Sequence, residues 1–91
     1  MTKRLKLLMY VYLTDGRAIN VWKKKGFTKW FYEVELKHKD LGLLDEDRVE
    51  TLESAIEIVK DLIHGQEVEK IRITSIGGVR IEKKLKEAFK L

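Results

Sequence analysis

Residues 6–13 and 17–24, KLLMYVYL and RAINVWKK, are two alternating runs separated only by Thr14-Asp15-Gly16, and no other feature restricts the fold as much. Alternation with period two marks strands that bury one face. Three connecting residues suit a hairpin made of a type I turn and a glycine in the left-handed region, where Gly16 meets no Cβ penalty. With that loop Leu13 faces Arg17, Val11 faces Ile19 and Met9 faces Val21 on one side of the hairpin. On the other side Tyr12 faces Ala18, Tyr10 faces Asn20 and Leu8 faces Trp22, and Lys6 shares their face. A two-residue Asp-Gly turn would set Val11 against Asn20 and Tyr10 against Val21. Because a one-residue slip exchanges the faces, the separation of aliphatic from aromatic residues selects the longer loop.

A third strand is expected from about Thr28 to Lys39, after a turn at Lys24–Phe27 that contains Gly26. Val34 and Leu36 mark its core face and bring Trp30 and Tyr32 with them, while Phe31, Glu33 and Glu35 point the other way. The stretch LGLLDEDRVE, residues 41–50, reads as an acidic connection with a short helical turn. Thr51 is a good N-cap, and Leu52, Ala55, Ile56, Val59, Leu62 and Ile63 then recur at helical spacing until Gly65. Residues 70–76, KIRITSI, alternate as a fourth strand with Ile71 and Ile73 inward and Arg72 and Thr74 outward. Beyond Gly77-Gly78, Ile81, Leu85, Ala88 and Phe89 define a final helix rimmed by Arg80, Lys83, Lys84, Lys86 and Lys90. The expected fold is a single α+β domain over residues 1–91, a four-stranded, mainly antiparallel sheet with two helices in the order βββ-α-β-α.

Ninety-one residues are enough for one hydrophobic core and too few for two. Cysteine and proline are both absent, which excludes disulfides, thiolate zinc sites and a proline-rich ligand. No apolar run approaches the roughly 18 residues a membrane span needs, and MTKRLKLLMYVYL passes into alternation without a small-residue cleavage site. A soluble, cytoplasmic protein is the expectation. Charged residues make up 37% of the chain while Asn and Gln occur once each, the compositional habit of hyperthermophile proteins, so a thermophilic source is expected.

The net charge of +4 is strongly segregated. Residues 1–39 carry ten Lys and Arg against three acids, residues 40–69 carry two against ten, and residues 70–91 carry seven against two. Such a chain can fold with its two ends on one positive face and its middle on the opposite one, although a salt-bridged thermophile surface scatters charge without any ligand.

Five of the eight aromatic residues and four lysines fall within NVWKKKGFTKWFYEV, residues 20–34. The second sheet face gathers Tyr10, Tyr12, Trp22 and Phe31, bordered by Lys6, Lys24, Lys25, Lys29 and Arg72. Rings on a basic sheet surface suit single-stranded nucleic acid, since unstacked bases lie on rings while cations track the phosphates. Duplex DNA suits it less, as no recognition-helix motif or basic heptad region is present. Two alternatives stay open: the last helix packs across this face and makes the rings a second core layer, or the face or the acidic helix docks a protein partner, including a second copy as a homodimer.

The remaining motifs carry less. Lys23-Lys24-Lys25-Gly26 is a basic turn that grips phosphate or is a solvated hairpin tip. Ser75-Ile76-Gly77-Gly78-Val79-Arg80 offers free backbone N–H groups before a basic helix, but lacks the longer pattern of a nucleotide-hydrolase phosphate loop, so a plain strand-to-helix turn is favoured. Asp45, Glu46, Asp47 and Glu50 lack calcium-loop spacing and read as a solvated helix start. His38 and His64 have neither metal-ligand spacing nor a paired nucleophile. No catalytic residues, metal site or cofactor is expected.

With NVWKKKGFTKWFYEV on a small basic sheet and an acidic helix behind it, the chain resembles the archaeal ThermoDBP-related single-stranded nucleic-acid-binding proteins. The resemblance covers size, mixed sheet–helix order and the aromatic–basic surface. It implies binding of single-stranded DNA or RNA without catalysis. Members that oligomerise through a long C-terminal coiled coil carry a heptad extension that these ninety-one residues do not include, so a homodimer is expected to use another surface.

Overall fold

A computed structural model of the chain describes residues 5–91; Lys3 and Arg4 of the basic N-terminal count, and the first four residues of MTKRLKLLMYVYL, lie outside the described residues. Strands β1 (Leu5–Leu13), β2 (Arg17–Lys25), β3 (Trp30–His38) and β4 (Gly42–Val49) are followed by helix α1 (Leu52–Ile63), strand β5 (Val68–Ile73) and helix α2 (Val79–Phe89). They form one antiparallel sheet of five strands in the order β4-β3-β2-β1-β5.

The α+β class and the two helices are as expected, but the strand count is not. The segment read as an acidic connection is the edge strand β4, turned back after His38 with Gly42 at φ +79°. It pairs Tyr32 with Val49, Glu33 with Arg48 and Glu35 with Glu46. Almost all of β4 is exposed, so it needs no apolar alternation, and its acids at 45–47 discourage another strand from adding to that edge.

The first hairpin has the expected pairs Met9–Val21, Tyr10–Asn20, Val11–Ile19 and Tyr12–Ala18. Its turn is closed by Gly16 N–H donating to the Leu13 carbonyl at 3.3 Å and by the Asp15 carboxylate, which accepts from Arg17 N and Nε at 3.0 and 2.7 Å. Beyond Met9 the register shifts by one residue, and Leu7, not Leu8, pairs with Trp22. Leu8 is the extra residue of a β-bulge, and it enters the core beside Met9. Thr74 holds the bulge: its N–H donates to the Leu8 carbonyl at 2.9 Å, and its hydroxyl bonds the carbonyls of Leu7 and Leu8 at 2.6 and 3.1 Å. This is why β5 ends at Ile73 and does not continue to Ile76.

Both helices cover one side of the sheet. Leu52, Ala55 and Val59 of α1 and Leu85 of α2 share a core with Leu8, Met9, Val11, Leu13, Ile19, Val21 and Val34. Thr51 caps α1 as expected, its Oγ1 accepting from Ser54 N–H at 3.1 Å. The glycines before α2 have separate reasons. A Cβ on Gly77 would lie 2.5 Å from Leu8 Cδ2, and Gly78 adopts φ +99°, so the pair lets the chain pass over the bulge and turn into the helix. No helix among the described residues is long and apolar enough to cross a membrane.

Candidate nucleic-acid interface

Cross-strand partners share a face, so the ladders define the side of the sheet that neither helix covers. Tyr10 pairs with Asn20 and Arg72, Tyr12 with Ala18 and Lys70, Trp22 with Leu7 and Glu33, and Phe31 with Lys24. These are the four rings expected on the second face. Of the two arrangements for that face, a covering by α2 is not what forms, because Leu85 packs into the core on the other side. Tyr12 is 42% exposed, while Tyr10, Trp22 and Phe31 are half-buried.

The open face has two electrostatic halves. Across β5, β1 and the adjoining part of β2, Tyr10 and Tyr12 lie with ring centroids 5.0 Å apart and planes tilted by 35°, beside the exposed cations Arg72 and Lys70. Across β3 and β4 the same face carries Glu33, Glu35 and Glu46, whose carboxylate oxygens come within 4.8 Å of one another. Glu33 and Glu35 already have partners. Lys24 forms an ion pair with Glu33, Arg48 Nη2 lies 4.0 Å from the same carboxylate, and the Trp22 indole N–H donates to Glu35 Oε1 at 2.6 Å. Arg48 also stacks over Phe31, 4.3 Å from its ring centre. Trp22 and Phe31 are therefore tied into a salt-bridged layer, while the tyrosine pair presents rings beside Arg72 and Lys70, which form no ion pair among the described residues.

The structure divides the expected cations. Arg72 and Lys24 lie on the aromatic face, although Lys24 is committed to Glu33. Lys6 does not lie there: the bulge reverses the parity of every residue before Leu8, so Lys6 pairs with Lys23 on the helix-covered side. Lys25 is on that side too, opposite Trp30, because β2 runs through the whole lysine triplet and the turn comes later, where Gly26 N–H donates to the Lys29 carbonyl at 2.8 Å. The triplet is not a hairpin tip. Lys29 stands beyond the sheet with Nζ 2.5 Å from Glu50 Oε1, a contact that holds the Glu50 carboxyl below its usual range.

Three cations of the open face lie outside those expected from the sequence: Lys70, Arg48 and Lys37, which pairs with Ala18. Lys70 is two residues from Arg72 in the same alternating run and was legible from that spacing. Arg48 sits in the segment that reads as a connection, and only recognition of β4 places it. His38 accepts a hydrogen bond from Asp40 N–H at Nδ1, 3.1 Å away, and serves the turn into β4.

Trp30 and Tyr32 lie on the helix side, as expected from Val34, but at the end of the sheet where the helices begin. Burial is the main cause that raises the Tyr32 phenol above its usual value of 10.0, with Glu53 adding to the shift and Lys84 opposing it. Compared with known proteins, the chain matches no family model, no curated protein and no solved structure.

Proposed function

We propose that this protein binds single-stranded nucleic acid, DNA or RNA, without catalysis, as the ThermoDBP-related proteins it resembles do. The observation that carries the reading is the uncovered half-face of β5, β1 and β2, where Tyr10 and Tyr12 lie beside Arg72 and Lys70. Unpaired bases stack on such rings with little regard to sequence, each contributing about 1–3 kcal/mol, while the flanking cations take the phosphates. On the other half Glu33, Glu35 and Glu46 stand among Lys24 and Arg48, so its charges are largely balanced and a polyanion is drawn to the basic half. Lys6, Lys25 and Lys29, expected to border this surface, take no part in that path.

Fluorescence anisotropy of a labelled single-stranded oligonucleotide, titrated with the protein at several salt concentrations, tests the reading. Saturable binding that weakens steeply with salt, through counterion release, is expected. Binding that is flat with salt, or absent, removes the phosphate role. Concentration-dependent self-association disrupted by Trp22→Ala, with no oligonucleotide binding, would transfer the face to a homodimer or another protein partner.

A further inference from the structure

On the opposite side of the sheet from the tyrosines, three ammonium groups surround one indole. The Nζ atoms of Lys6 and Lys23 lie 5.2 Å from the Trp30 ring centre, and that of Lys25 lies 5.5 Å away. None of the ion pairs among the described residues uses any of the three. The negative face of the ring offsets part of their mutual repulsion, but three like charges around one ring leave a concentrated positive potential that no ion pair among the described residues offsets.

Lys23 also lines a cleft of about 490 Å³ between the beginnings of α1 and α2, together with Tyr32, Arg80 and Lys84. Two carboxylates reach this cleft, and both are engaged, Glu50 by Lys29 and Glu53 by Lys84 at 3.1 Å. Arg80 has no such partner among the described residues. The start of α2 adds unsatisfied donors, since its N-cap is Gly78 and no side chain caps it.

We infer that this cleft and the adjoining Trp30 form a binding site for a nucleoside 5′-phosphate, with the base against the indole and the phosphate between Lys23 and Arg80. A flat base displaces a lysine from the ring and leaves that ammonium free to meet the phosphate. Arg80 supplies paired donors to its oxygens. The site stands apart from the tyrosine face and does not rest on it. The same chemistry is offered by a free mononucleotide and by the phosphorylated end of a strand.

Trp22→Phe leaves Trp30 as the sole fluorescent indole, and this variant is titrated with adenosine 5′-monophosphate, adenosine, and oligothymidylates with and without a 5′-phosphate. Saturable quenching by the monophosphate, absent with adenosine and weakened about tenfold or more by adding Arg80→Ala, is expected from the loss of a charge-assisted contact. A phosphorylated oligonucleotide binding more tightly than both the monophosphate and its unphosphorylated twin identifies the strand end as the ligand. Equal or weaker binding identifies the free nucleotide. Quenching by both oligonucleotides alike without response to the monophosphate, or monophosphate quenching untouched by Arg80→Ala, overturns the inference. If Trp22→Phe does not fold, the separate indole N–H resonances of the wild-type protein report the same titrations, and an unmoved Trp30 signal overturns it equally.

Discussion

Lys24 forms an ion pair with Glu33, a carboxylate only 3% exposed although it belongs to the side of the sheet that no helix covers. Burying a charge is costly unless it is paired, so this contact is a condition for the β2–β3 part of the face and not a surface ornament. Arg48 stands 4.0 Å from the same carboxylate and softens the loss if Lys24 is removed. Lys24→Ala should destabilise the fold by about 1–3 kcal/mol, read as a drop of roughly 4–8 °C in Tm per kcal/mol for a domain of this size. Because its charge is already spent on Glu33, the same change should barely alter the salt dependence of oligonucleotide binding. A steep loss of salt dependence with unchanged Tm would mean that Lys24 serves phosphate instead.

Tyr12 is the ring whose loss separates binding from folding most cleanly. It is exposed, packs on Tyr10 and does not belong to the core. Tyr12→Ala should weaken single-strand affinity by a factor of about 5–150, the equivalent of one lost stack, and leave thermal unfolding within about 1 kcal/mol of wild type.

Lys70 and Arg72 should each act through charge alone. Replacing either with alanine should flatten the slope of log affinity against log salt by about 0.7, the value for one single-strand phosphate contact, without sequence preference. Replacing Glu46, on the β3–β4 half, should leave that slope unchanged.

Gly77 is fixed by packing. Its missing side chain makes room for Leu8, and Gly77→Ala should cost about 1–3 kcal/mol in denaturant unfolding as the bulge and the start of α2 move apart. Leu8→Ala combined with Gly77→Ala should be less than additive, since both act on one contact.

The bulge also explains what the sequence conceals. The hairpin register and the helix from Thr51 are legible because alternation, a capping hydroxyl and helical spacing all point the same way. Leu7-Leu8-Met9 contains no polar residue to show where the parity changes, so nothing in it places Lys6 on the helix side. Strand β4 is hidden for the opposite reason: an exposed edge strand can be charged throughout, and LLDEDR has the composition of a loop. The tyrosine pair and Arg72 were legible because they lie beyond the bulge, where simple alternation holds. The cleft at Trp30 was not, since it depends on the bulge, on β2 running through Lys25 and on two helix starts meeting.

Tyr32 gives a pH signature. Its phenol is raised above 10.0 by burial, so the native protein holds this proton more tightly than the unfolded chain does. Stability should therefore be unaffected below the unfolded value and decline as pH rises through and above it. Absorbance titration should show a tyrosine step displaced to the alkaline side of 10.0, and Tyr32→Phe should remove both that step and its share of the alkaline destabilisation.

The most direct test of the nucleic-acid reading is amide and side-chain chemical-shift mapping of the wild-type protein with an unphosphorylated single-stranded oligonucleotide. The account predicts perturbations that follow Tyr10, Tyr12, Lys70 and Arg72 and fade with added salt, while Glu35 and Glu46 stay nearly unmoved. Shifts concentrated on the β3–β4 half, or none in β1 and β5 with the fold intact, would contradict it.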